Sequence, residues 1–352
     1  MIPYIAFSLS PLFWGFLASL MYQNSRNIDK ERRLVAVLSG INIFVMIALR
    51  SQELGSQDSA IYYQYWETLS RLSFQELILF IKTSRLEVGF LGVCWLLSHI
   101  PCFVHPQYVF VFSGLIITIA YCRFILKYCD DVILGLTMFI CLGLYSFLVQ
   151  GMRQAIAMSI CLMGIPFCRE RKLIKFASTV AVAMLFHKTA VVFLVVYFLY
   201  NRKLDTKTLL ITISILVLTI VFSSEILNVA NDIFDMSYGI PVETGGWIAV
   251  AIYVITLVVA WIFRGCNQWD KDYCFFFYFT CLGGSLYIMR YIGALAIERV
   301  SFFFMAGQLA TLPNALRSIK DGKKLVIFAI WVLSILLFLY RQTGSVYRFF
   351  WQ

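Results

Sequence analysis

VILGLTMFICLGLYSFLVQGMRQAIAMSICLMGIPFCRERK, residues 132–172, carries one charged side chain, Arg153, before it closes on the basic loop Arg169–Lys172. Two continuous apolar runs, 132–149 and 153–168, therefore meet at an arginine. As helices rising 1.5 Å per residue they would each cover roughly 25 Å, close to the ~30 Å of a bilayer's hydrocarbon. A charge at that depth costs several kcal/mol unless it is paired or wetted, so Arg153 is a candidate for function and not for packing alone. The basic loop that follows marks a cytoplasmic turn by the positive-inside rule.

The same pattern fills the chain. Of 352 residues, 61% are hydrophobic and only 14% charged, too apolar for a soluble domain. The runs are continuous and do not alternate, which excludes a transmembrane β-barrel. The formal charge of +10 comes mainly from short loops between apolar segments, so it reports topology and no nucleic-acid partner. Ten cysteines are scattered singly, mostly in apolar runs, and behave there as small hydrophobes. No Cys/His cluster has metal spacing, no motif demands a metal or cofactor, and a disulfide framework is not expected.

The expected fold is all-α: a single polytopic membrane domain over 1–352, with about twelve transmembrane helices plus a short re-entrant or interfacial segment. The first run, 3–22, lacks a basic n-region and a small-residue cleavage site, so it reads as a retained helix. Segment 34–49 leads to an outer loop, 50–86, in which residues 74–82 (FQELILFIK) have the apolar stripe of an interfacial helix. Further runs follow at 86–100, 107–122, 132–149, 153–168, 173–186, 188–200 and 208–222. After a second, acidic outer loop at 223–246 come 247–263, 273–289, 292–311 and 325–340. With every basic loop inside, both termini lie outside and the number of crossings is even. Counting 86–100 as a span would make it odd, so that run is expected to dip in and return. No internal repeat is visible.

This topology sends Arg50, Asp58, Arg153, His187, Arg290 and Arg299 to one side of the membrane, and Glu87 opens the run at 86–100. Asp58 and Tyr62 are four apart and share a face in a helix starting near Ser56; Asp58 there is a base, a ligand or part of a helix N-terminal turn. Glu87 pairs with Arg85 or faces headgroups, or else belongs to a site. Arg153 at a helix start gains nothing from the helix dipole; it either snorkels to headgroups or joins free backbone N–H groups to bind a phosphate. His187 stands between two runs of about fourteen residues, roughly 21 Å each, too short to cross singly. That places an imidazole below the interface, where it is a structural histidine or a general base. Several arginines on one rim, with few carboxylates to neutralise them, imply an anionic ligand.

Arg50 followed by Gly55, Asp58 and Tyr62 (G-x-x-D-x-x-x-Y), then Glu87–Phe90 (E-x-G-F), resembles the EpsG/Wzy-like family of bacterial polysaccharide polymerases. So do Arg153–Ala157 (R-Q-x-I-A), Ala183–Ala190 (A-x-x-F-H-K-T-A) and Glu298–Phe304 (E-R-V-S-x-F-F). Order and spacing agree over roughly residues 45–310. The resemblance implies a GT-C-like enzyme of the bacterial cytoplasmic (inner) membrane, multi-pass, with its active site facing the periplasm or cell exterior. It implies polymerisation of undecaprenyl-pyrophosphate-linked oligosaccharide, donor and acceptor alike, into O-antigen, capsule or exopolysaccharide. Membrane lipid and a chain-length regulator are the other partners implied. On that reading Asp58, Glu87 and His187 are the candidate bases, while Arg50, Tyr62, Arg153, Arg290 and Arg299 hold the pyrophosphate. The competing functions are an outer-face transferase adding one sugar or acyl group, and a transporter of the lipid-linked unit. Against transport, no repeated halves are visible and the polar residues favour one face over the midplane.

Overall fold

The computed structural model describes residues 1–23, 27–54, 57–84, 86–207, 246–267, 270–288 and 299–352, with scattered positions between 210 and 225. The described residues are helical, without a strand. The helices are α1 (Ile2–Tyr22), α2 (Ile28–Ala48), α3 (Gln57–Leu69), α4 (Phe74–Thr83), α5 (Val88–Ser98) and α6 (Tyr108–Tyr128). Next come α7 (Val132–Cys141), α8 (Leu144–Gln150), α9 (Met152–Met163), α10 (Ile165–Arg169) and α11 (Leu173–Met184). A 3₁₀ helix, Lys188–Val195, runs into α12 (Val196–Leu199). The chain continues with α13 (Trp247–Ile262), α14 (Arg264–Asn267), α15 (Lys271–Ile288), α16 (Ala306–Leu316) and α17 (Lys323–Arg341). Most of the expected loop 223–246 lies outside the described residues, as does Arg290.

Helix length and hydropathy account for three crossings, α1, α6 and α17, or four if the bent pair α7–α8 is one span. About twelve were expected. Among the described residues, several apolar runs that read as single segments are broken. Gly143 adopts φ +105°, a conformation that disfavours side chains, and the α7 and α8 axes diverge there by 51°. Run 153–168 breaks at Gly164, with Pro166 opening the next short helix. The 86–100 run forms only the eleven-residue α5, far short of a crossing. Run 188–200 begins as 3₁₀ and not as α-helix, in keeping with the β-branched Thr189, Val191 and Val192 that crowd an α turn.

α2 starts on Asn27, whose side chain accepts from the Lys30 N–H at 3.1 Å, with Asp29 and Glu31 complementing the dipole. It packs antiparallel on α6, and both ends of the pair are fixed. Gln107 donates to the carbonyls of Ala48 and of Arg50 (3.0 Å) at one end, and Arg32 donates to the Cys129 carbonyl (2.8 Å) at the other. α6 also packs on α9, α9 on α11, and α15 on α16, burying one large aromatic and aliphatic core. α4 begins with a capping box, Ser73 with Glu76. Its Leu77 is buried while Phe74 and Leu79 are exposed, as an interfacial helix requires.

One contact was not legible. The segment after α17 returns to the end of α2: the Ser51 N–H donates to the Arg348 carbonyl (2.9 Å) and the Phe350 N–H to the Leu49 carbonyl (3.0 Å).

Candidate functional site

Four of the expected residues meet directly. Glu87 is the residue before α5 and makes no capping bond to its own helix. Its carboxylate reaches across instead: Oε2 pairs with Arg153 Nη1 of α9, and Oε1 lies 3.2 Å from His187 Nδ1 and 3.4 Å from the Lys188 N–H. Glu87 thus bridges two segments that follow it by 66 and 100 residues. The Tyr62 hydroxyl lies beside Arg153, near both its guanidinium and its backbone N–H in the first turn of α9. Asp58 sits one turn before Tyr62 in the first turn of α3, so the expected shared face exists. Its charge is felt at Tyr62.

The local sequence explains why these groups converge. The Gly89 N–H donates to the Leu185 carbonyl at 2.8 Å, tying α5 to the end of the segment before His187. A Cβ on Gly89 would stand 2.6 Å from that carbonyl oxygen, so only glycine permits the approach. Phe90 packs on the Tyr62 ring at 5.3 Å between centroids. In E-x-G-F, then, the acid bridges, the glycine allows contact and the aromatic positions α3. Substituting Gly89→Ala is expected to separate α5 from the His187 segment and cut activity at least tenfold, with a modest loss of thermal stability of about 1–3 kcal/mol. Wild-type activity for that variant would show that the contact is dispensable.

His187 itself is extended (φ −159°, ψ 115°), the break expected between the two short runs. With Nδ1 facing the carboxylate, the tautomer protonated there leaves Nε2 as an acceptor. The site is mostly dry yet reachable: side-chain exposure is 24% for Arg153, 12% for His187 and 6% for Glu87. Arg153 Nε is buried without a partner, a spare donor beside the pair. Burial pushes the Glu87 carboxyl up. The hydrogen bond to His187 and the charges of Arg153 and His187 outweigh that and hold it at about 2, below its ordinary 4.5. Because the folded value is the lower one, the carboxylate's stabilising contribution is complete above pH 4.5 and is lost as pH falls towards 2. Thermal unfolding in detergent should therefore fall more steeply across that window in the wild type than in Glu87→Gln.

Arg299 is exposed, and its backbone carbonyl accepts from the side chain of Gln154, the neighbour of Arg153. The described arginine candidates thus lie at one end of the helices. Arg50 plays a different part. It is 1% exposed, donates to Leu54, to Ser59 Oγ (2.9 Å) and to the Val149 carbonyl (2.9 Å), and stacks 4.0 Å over Phe110. It braces the start of α3 against the end of α8. Gly55, Arg85 and Glu298 of the motif stretches lie outside the described residues. Sequence reasoning missed Gln107, Ser59 and Gln154, whose only signal was polarity inside or beside apolar runs. No group of three or more His, Cys, Asp or Glu suited to a metal occurs among the described residues.

A chain whose described residues form helices, three or four of them apolar enough to cross a bilayer, and bring Arg, Glu and His together is a membrane protein with a candidate acid–base site. Comparison with protein families extends this: the model of the EpsG family matches residues 33–351, and the chain belongs to that family. The family points to a glycosyltransferase-like polysaccharide polymerase. The match reaches further than the 45–310 over which motifs are visible, taking in the segment that pairs with Leu49–Ser51. No curated protein and no solved structure matches the chain.

Proposed function

We propose that the protein is a glycosyltransferase that polymerises undecaprenyl-pyrophosphate-linked oligosaccharide units into O-antigen, capsule or exopolysaccharide at the outer face of the bacterial cytoplasmic membrane. The observation that carries this is the bridging of Arg153 and His187 by Glu87 in an EpsG-family chain. About twelve crossings, with the basic loops inside, belong to the same proposal.

Polymerisation needs an acceptor hydroxyl to attack the anomeric carbon of the donor. The new C–O bond forms as the bond from that carbon to the pyrophosphate oxygen breaks, and undecaprenyl pyrophosphate leaves with the electron pair. The hydroxyl proton goes to His187 Nε2, the general base. Glu87 is the positioning residue: a carboxylate held at about 2 is a poor proton acceptor but a good anchor for an imidazole. Arg153, with Arg299 and Arg290, offsets the negative charge that grows on the leaving pyrophosphate, as preorganised cations do. Tyr62 aims Arg153, and Asp58 lies a turn before it on the same helix. Arg50 supports the loop and does not bind substrate.

The experiment is reconstitution of the purified chain in bilayers with a lipid-linked oligosaccharide. A ladder of lengths supports polymerisation. A single added unit makes it a monomer transferase, and relocation of unaltered substrate makes it a transporter.

A further inference from the structure

Away from that site, α2 and α6 leave a groove of about 550 Å³ between them. Arg33, Val37 and Ile41 rise along α2 at four-residue spacing, and Arg123, Ile119 and Leu115 descend α6 in the same way. The buried Ala36 and Gly40 make the floor low enough to form a channel. Arg33 and Arg123 stand at the same end because the helices are antiparallel, and both are exposed. Neither forms an ion pair with a described residue, and no carboxylate lines the groove. Thr118 Oγ1, on the wall, is buried without a partner. It lies five residues, roughly 7.5 Å along the axis, above Arg123.

This arrangement has the layout of a lipid. Two cations sit at headgroup level, a hydroxyl donor stands where ester carbonyls begin, and an apolar channel extends to Phe44, eleven residues or roughly 16 Å beyond Arg33, about one leaflet deep. We propose that the groove binds one anionic glycerophospholipid, its phosphate between Arg33 and Arg123, an ester carbonyl at Thr118 and an acyl chain along Val37 and Ile41. Substrate does not fit there. Arg33 is seventeen residues, roughly 25 Å, from Arg50 at the end of α2 that faces the Glu87 cluster, so a polyprenyl pyrophosphate seated at the site cannot reach these arginines. The occupant belongs to the opposite leaflet.

The test is native mass spectrometry of the full chain with phosphatidylglycerol or phosphatidylcholine of matched acyl chains. Wild type should retain one phosphatidylglycerol at a concentration about tenfold lower than phosphatidylcholine, and Arg33→Gln/Arg123→Gln should erase that preference. Both positions are exposed, so packing survives the change. Ile41→Trp, which fills the channel, should weaken both lipids, while Lys320→Gln/Lys324→Gln, elsewhere on the surface, should leave the preference intact. The proposal is overturned if wild type shows no preference, if the double arginine variant keeps it, or if the lysine control loses it equally. Retention unaffected by Ile41→Trp would equally overturn it, since the charge alone would then be acting.

Discussion

His187→Gln is expected to lower polymer formation by about 10²–10⁴-fold while leaving the protein folded. Glutamine fills much of the imidazole's volume and its amide can still donate to Glu87 Oε1, 3.2 Å from Nδ1 in the wild type, so the bridge to Arg153 survives. What it cannot do is accept a proton at the position of Nε2. The measurement is ladder formation at matched protein levels in membranes, with thermal unfolding of the same preparation. An undiminished ladder would remove His187 from proton transfer and move the search to Asp58. Glu87→Gln should produce a smaller loss, because it misorients the base without deleting it.

Arg153→Ala should be the most damaging single change. On the proposed mechanism it removes the charge offered to the leaving pyrophosphate, a loss of about 10²–10³ in rate by analogy with other preorganised donors. It also strands Glu87, whose side chain is 6% exposed, beside an empty position, and breaking a buried pair in this way costs about 3–5 kcal/mol. Arg153→Lys separates the two effects. It keeps a cation for Glu87 but loses the planar fork that reaches Glu87 and Tyr62 together, so folded protein with activity reduced roughly tenfold or more is expected. If Arg153→Lys polymerises at the wild-type rate, charge alone suffices and the fork geometry has no catalytic part.

Local features were legible in the sequence. The break at His187, the helix start at Arg153 and the helix carrying Asp58 and Tyr62 all follow from short-range rules of length, polarity and spacing. Pairing was not. Glu87 reads as the partner of Arg85, its neighbour but one, because nothing local shows that α5 and α9 are brought together. Gly89 was visible in the motif, but its reason, a carbonyl oxygen from a segment almost a hundred residues on, belongs to the tertiary fold. Arg50 shows the reverse case. A cation with no acidic neighbour looks available for a ligand, whereas three protein oxygens and an aromatic face already surround it. Kinks were not legible for a related reason, since hydropathy averages over breaks such as that at Gly143.

The pairing of Arg348 and Phe350 with Leu49–Ser51 has a consequence for biogenesis. Tyr347 anchors to the Met46 carbonyl across 301 positions, with α17 inserted just before it. The side-chain brace of Arg50 needs nothing beyond Val149, but the backbone partners of Leu49 and Ser51 come from residues 348–350, so the end of α2 is fixed only once α17 has been made and has turned back on it.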